Sequence, residues 1–283
     1  MLDISKKIDK LNLEILKTVK ETADNLNIEF FLCGATVRDM ILNYIYDIKI
    51  YRGTNDIDFA VRLENWEQYD LLVKEIEQKG FKKDQIIMHR YRYKGMIIDF
   101  IPFGDVSSKA ETIVWPDKEQ KEMNVIGFSD VNDHAEELLI QDGPQIVIQT
   151  ASVEGLALLK LFAWNDRSAN LRIKDAKDLY IIITTYLDAG NQEKLFNENT
   201  DIVDEDFDYE LGGARLLGRD IARIVSAHAL KALSEILNNT NKIMELSQDM
   251  AQYEFIHIDD VDQKVEKCRE LLSNLVAGLT DGK

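Results

Sequence analysis

Thr54-Asn-Asp-Ile-Asp-Phe-Ala-Val61 sets two carboxylates two residues apart, and from Asp56 to Arg62 polar and apolar side chains alternate with the period of a strand that has one buried face. Asp56 and Asp58 then project from the same face, with Cα atoms about 6.5–7 Å apart. Carboxylates so placed can share cations. Hard oxygen donors of this kind suit Mg²⁺, and two such ions about 3.5–4 Å apart can hold the attacking and leaving oxygens of a displacement at phosphorus.

On the N-terminal side, Ile28-Glu-Phe-Phe-Leu-Cys33 is short, apolar and aromatic, as a strand should be. It runs into Gly34-Ala-Thr-Val-Arg-Asp39, where a helix opens and continues through Met40, Ile41 and Leu42. Gly34 lets the backbone approach a ligand closely, and a helix starting there offers unpaired N–H groups to a triphosphate. Before this, residues 4–26 space Ile8, Leu11, Ile15 and Val19 as the apolar stripe of an amphipathic helix.

On the C-terminal side, residues 65–79 read as a helix ending at Gly80. Residues 86–93 and 96–101 read as a hairpin turning at Lys94-Gly95, with the second strand stopping at Pro102. Asp99 stands there among Met96, Ile97, Ile98, Phe100 and Ile101. An ionised side chain buried in such surroundings costs several kcal/mol without a partner, a cost that a metal ion would cancel. Asp56, Asp58 and Asp99 are thus the candidate metal ligands.

A chain of 283 residues favours more than one domain. The three prolines all lie at or before residue 144, and beyond them 152–189, 210–247 and 259–278 are helical in pattern. The expected class is α+β, a mixed sheet with helices over residues 1–150 followed by a helical domain over 151–283. Residues 191–209, rich in Asp and Glu, read as a solvated acidic connector. A formal charge of −17 repels phosphate backbones and anionic lipid, so any nucleic-acid contact must be local.

Two distant cysteines, Cys33 and Cys268, suggest neither disulfide nor zinc site. The sequence lacks an apolar leader or a membrane-spanning run, and a cytoplasmic, membrane-free protein is expected. The four histidines lack metal spacing, and no GxSxG turn is present. His89-Arg-Tyr-Arg-Tyr93 interleaves cations and aromatics as single-strand binders do, a pattern equally suited to an ordinary hairpin.

Cys33-Gly-Ala-Thr-Val-Arg-Asp39, Arg52-Gly-Thr-Asn-Asp-Ile-Asp-Phe59 and Ile97-Ile-Asp-Phe100 together resemble the DNA polymerase β-like nucleotidyltransferase superfamily. The Gly-x-x-Val-Arg-Asp form is similar to that of CCA-adding enzymes. Leu159-Lys-Leu-Phe-Ala-Trp-Asn-Asp-Arg167 and Ile173-Lys-Asp-Ala-Lys-Asp-Leu179 look more like the helical motifs of AbiEii-type abortive-infection toxins. The resemblance covers residues 28–185. Ala35 departs from it by standing where Gly or Ser is usual, and the interval from Gly34 to Asp56 is longer than usual.

The resemblance implies a nucleotidyltransferase that moves a nucleoside monophosphate from an NTP such as ATP to a hydroxyl and releases pyrophosphate. Asp56 and Asp58 would hold two Mg²⁺ ions, with Asp99 on the acceptor side. Gly34, Ala35, Arg38 and Thr54 would shape the nucleotide turn, together with Arg52. Lys160, on a helix facing the cleft, would contact the triphosphate, whereas its spacing alone favours a snorkelling surface lysine. Asp175 or Asp178 would be functional, although Lys174, Asp175 and Asp178 on one helix side also fit plain ion pairing. The acceptor implied is RNA, particularly a tRNA 3′ end, and the partner an antitoxin protein. A non-catalytic nucleotide- or partner-binding module on the same fold stays open, as does an aminoglycoside-type small-molecule acceptor.

Overall fold

The computed structural model describes residues 1–50, 54–116 and 121–281, and the chain divides into two compact units, Met1–Ser152 and Val153–Lys283. The first unit runs β1 (Leu2–Asp3), α1 (Lys10–Leu26), β2 (Glu29–Cys33), α2 (Gly34–Asp39), β3 (Asp56–Arg62) and α3 (Trp66–Gln78). It continues through β4 (Lys82–Lys83), β5 (Arg90–Tyr93), β6 (Met96–Phe103), β7 (Thr112–Val114), β8 (Glu122–Asn124), α4 (Phe128–Asp133), β9 (Glu136–Gln141) and β10 (Ile146–Thr150). Eight of these strands form one mixed sheet in the order β1-β9-β10-β2-β3-β6-β5-β4. The α+β expectation holds.

The centre of the sheet is the apolar part of the sequence. Phe31, Leu32, Ile57, Phe59, Ile98 and Phe100 are all buried, and Phe59 stacks on Phe100 with ring centroids 5.4 Å apart. α1 begins six residues later than the apolar stripe suggested. Asp9 caps it by accepting from the N–H groups of Leu11 and Asn12, while Leu2 and Asp3 pair with Leu138 and Leu139 as an edge strand.

The hairpin turns at Lys94-Gly95 as expected, both residues having positive φ, but β6 passes through Pro102 to Phe103. Phe100 donates its N–H to His89 on the β5 side, so the Pro102 nitrogen two residues on points past the end of β5, where no ladder bond is lost. Tyr91 is buried, and Tyr93 stacks on Phe81 at 4.4 Å with its hydroxyl on Glu14. These aromatics are packing residues of an ordinary hairpin, not an exposed stacking surface.

The second unit comprises α5 (Val153–Asp166), α6 (Ala169–Thr185), α7 (Gln192–Glu198), α8 (Tyr209–Ile224), α9 (Ala227–Leu237), α10 (Thr240–Met250) and α11 (Val261–Thr280). α8 and α11 cross closely at two glycines: a Cβ on Gly218 would sit 2.1 Å from the Leu275 carbonyl, and one on Gly278 1.9 Å from that of Arg215. The acidic stretch 191–209 is structured rather than a free connector. Leu195 of α7 is buried, Asp208 caps α8, and Asp201 is held by Arg219. Among the described residues no helix is long and apolar enough to cross a membrane.

Candidate active site

Strand register gathers the motif. β2 and β3 are antiparallel with Cys33 opposite Asp58, and β3 and β6 are parallel with Asp58 opposite Asp99. Cys33, Asp58 and Asp99 therefore lie on one rung across three central strands, with Asp56 two residues back on the face of Asp58. Gly34 follows Cys33 immediately. Its φ of +82° opens the turn, and a Cβ there would lie 1.8 Å from Asp58 Oδ2 and 2.8 Å from Asp58 Cγ. The Asp58 carboxylate thus occupies the space that a side chain at position 34 would need.

Asp99 is only 5% exposed, and its charge is met within the protein. Arg90 grips it with both arms of the guanidinium, Nε donating to Oδ1 at 2.9 Å and Nη2 to Oδ2 at 2.7 Å. His89 Nε2 lies 3.9 Å from the same Oδ2. From sequence a metal ion is the expected offset to the burial of Asp99, whereas the hairpin register sets Arg90 directly opposite it. Hydrogen bonding to Asp99 raises the Arg90 pKa above the ordinary guanidinium value despite partial burial, and the charges of Asp99, Asp58 and Asp56 add to the rise. All three carboxylates therefore act on one cation. Among the described residues, no three His, Cys, Asp or Glu side chains are gathered so as to enclose a metal ion by themselves.

The glycine turn is tied to the start of β3. The Thr36 hydroxyl bonds the main-chain carbonyl of Asp56 and lies 2.7 Å from the Thr54 hydroxyl, which is itself 3.4 Å from Asp39 Oδ2. Ala35 is buried, and Arg38 is only 1% exposed, with its Nε donating to Asp39 at 2.8 Å. Arg38 thus braces the turn from within. Arg52 lies outside the described residues. Thr36 and Asp39 escaped the sequence reading, although both stand within the quoted Gly-Ala-Thr-Val-Arg-Asp stretch.

In the second unit, Lys160 is neither a surface lysine nor an unengaged ammonium. It lies 3.0 Å from Asp175 Oδ1 and 2.7 Å from Asp178 Oδ2, and Arg167 reaches Asp175 Oδ2 at 2.6 Å. Asp175 and Asp178 are fully buried, while Lys174 is exposed, so their cations come from Lys160 on α5 and from Arg167 just after it, and not from Lys174 on their own helix. Burial alone would lower the Lys160 pKa. The charges of Asp178 and Asp175 outweigh it and raise the value above that of an ordinary lysine.

Comparison with known proteins gives a family. The profile of "Nucleotidyl transferase AbiEii toxin, Type IV TA system" matches residues 19–266, well beyond the 28–185 over which the motifs resemble it. No curated protein matches the chain. Among solved structures, the antibiotic-resistance factor ANT(2″)-Ia is similar at 12% identity and a TM-score of 0.37, over 69% of this chain and 95% of its own. A protein from H. pylori described as a nucleotidyltransferase matches at 14% identity and 0.37, over 98% and 99%. A CCA-adding enzyme in complex with ATP matches at 14% identity and 0.27, over 95% and 70%.

Proposed function

The chain belongs to the AbiEii family of nucleotidyltransferase toxins, and from that premise we propose a Mg²⁺-dependent enzyme that transfers a nucleoside monophosphate from an NTP to a hydroxyl on RNA, with its catalytic centre in the first unit. The observation that carries the reading is the rung of Cys33, Asp58 and Asp99, with Gly34 stripped of any side chain against Asp58. The donor set fits a hard divalent cation: it offers only carboxylate oxygens, from Asp56 and Asp58 on one strand face and Asp99 on the next strand. When bound, Mg²⁺ would be held by these three residues and would supply charge stabilisation at the phosphorus undergoing displacement.

The chain's own residues perform the remaining work. Asp56 and Asp58 fix the nucleotide end of the site, and the tether from Thr36 to Asp56 keeps the glycine turn in register with them. The first N–H groups of α2, with Gly34 and Ala35 at their head, face the phosphates. Asp99 takes the acceptor side. A new phosphodiester bond forms between the acceptor oxygen and the α-phosphorus while the hydroxyl proton passes to water, the bond to the bridging oxygen of the β-phosphate breaks, and pyrophosphate leaves with that electron pair.

The same family description supports an antitoxin protein as partner. The net charge of −17 favours a second reading, in which the acceptor is a small cationic hydroxyl compound drawn in by the acidic surface. Incubation with α-labelled NTPs, Mg²⁺ and either total RNA or aminoglycosides separates the two. Label on RNA supports the first reading and label on the small compound the second. Metal-dependent NTP binding with no transfer to either leaves a binding module.

A further inference from the structure

Asp99 already serves one cation. Both of its oxygens accept from Arg90, at 2.9 Å and 2.7 Å, in a fork that takes one in-plane lone pair of each. A divalent ion brought to the remaining lone pairs meets the positive charge of the guanidinium at contact distance. The contact is built in: Arg90 and Asp99 are register partners in the β5–β6 hairpin, and the turn at Lys94-Gly95 fixes that register. The arginine is also the partner with a route outward, since its side chain is 24% exposed against 7% for Asp99.

We propose that Arg90 is a built-in counter-ion of the third carboxylate, one that competes with divalent metal for Asp99 and must release it for the metal site to be completed. Arg90 is then a positioning residue acting through Asp99. While seated, it lets a charged carboxylate persist in a buried strand; once displaced, it exposes both oxygens of Asp99 to the ion. The proposal rests on the metal-dependent reading above, and its test keeps the two apart.

The test is Mn²⁺ binding to the full chain, followed by electron paramagnetic resonance of the free ion and by calorimetry, with no acceptor or NTP present. Loss of the competing fork in Arg90→Gln should tighten Mn²⁺ binding by about ten-fold or more, whereas a residue that merely supports the fold would weaken it. In an Asp99→Asn background the same change should alter affinity by less than about three-fold, because the contested carboxylate is gone. Arg90→Lys keeps the charge and removes the fork, so it serves where Arg90→Gln fails to fold, and it should bind more tightly than wild type by a smaller factor. Wild type that binds Mn²⁺ alongside Arg90 variants of equal or weaker affinity overturns the counter-ion and leaves the metal reading intact. Absence of Mn²⁺ binding in wild type and every variant overturns both.

Discussion

A single methyl group added at Gly34 is expected to separate the stability of the first unit from its chemistry. In Gly34→Ala the new Cβ would lie 1.8 Å from Asp58 Oδ2, so the oxygen must retreat by about 1.6 Å to reach ordinary van der Waals contact. The obstructing atom is the end of a side chain, which can swing aside at modest energetic cost. The backbone cannot relax as easily, because φ at this position is +82° and a left-handed alanine costs about 1–2 kcal/mol. The melting temperature should fall by roughly 2–8 °C, at about 2–4 °C per kcal/mol for a unit of this size. Chemistry should suffer far more, since a misplacement near 1 Å at a reacting centre costs about 100-fold. Thermal unfolding, Mn²⁺ titration and labelled-nucleotide transfer, run on the same preparations, would show it. If Gly34→Ala keeps both Mn²⁺ affinity and transfer within about three-fold of wild type, the close approach of Gly34 to Asp58 is not part of the site.

Two further substitutions probe the second unit. Lys160→Met withdraws a cation from two fully buried carboxylates and should destabilise the protein by about 3–5 kcal/mol in urea unfolding, with Lys160→Met/Asp178→Asn recovering more than half of the loss; equal stability of wild type and Lys160→Met would refute that pairing. The bonds from Arg219 hold the Asp201 carboxyl down to about 2 from its usual 3.8, so its stabilising contribution is complete above pH 3.8 and fades as pH falls toward 2. Asp201→Asn should lose that part of the acid dependence, and because the Asp201 carboxylate is exposed, added salt should shrink the difference between the two proteins. An acid-unfolding profile unchanged by the substitution would show that the pair contributes nothing.

Much of the first unit was legible because its signals are local. The period-two run from Asp56 to Arg62 became β3 residue for residue, and Asn65 and Gly80 bracket α3 as a cap and a stop. The pairing of Asp99 with Arg90 was legible in principle: a two-residue turn at Lys94-Gly95 makes Tyr93 and Met96 partners, and counting back along the ladder sets Arg90 opposite Asp99. Reading Asp99 only for its apolar neighbours along the strand hid the cation across it. The late start of α1 was not visible locally, since it follows from Leu2 and Asp3 pairing with a strand more than a hundred residues away. Nor could the spacing of Lys174, Asp175 and Asp178 show that α5, packed against α6, would bring Lys160 and Arg167 to the buried carboxylates.

The most direct measurement is calorimetric titration of Mn²⁺ and of each NTP with Mg²⁺ into wild type and Asp56→Ala/Asp58→Ala, paired with label transfer from α-labelled NTPs to total RNA. A metal site on the Asp56–Asp58 face predicts metal-dependent NTP binding and label transfer in wild type, with Mn²⁺ affinity reduced by about 100-fold or more and transfer abolished in a double variant that still folds. A folded double variant that binds Mn²⁺ and NTP as wild type does would contradict it.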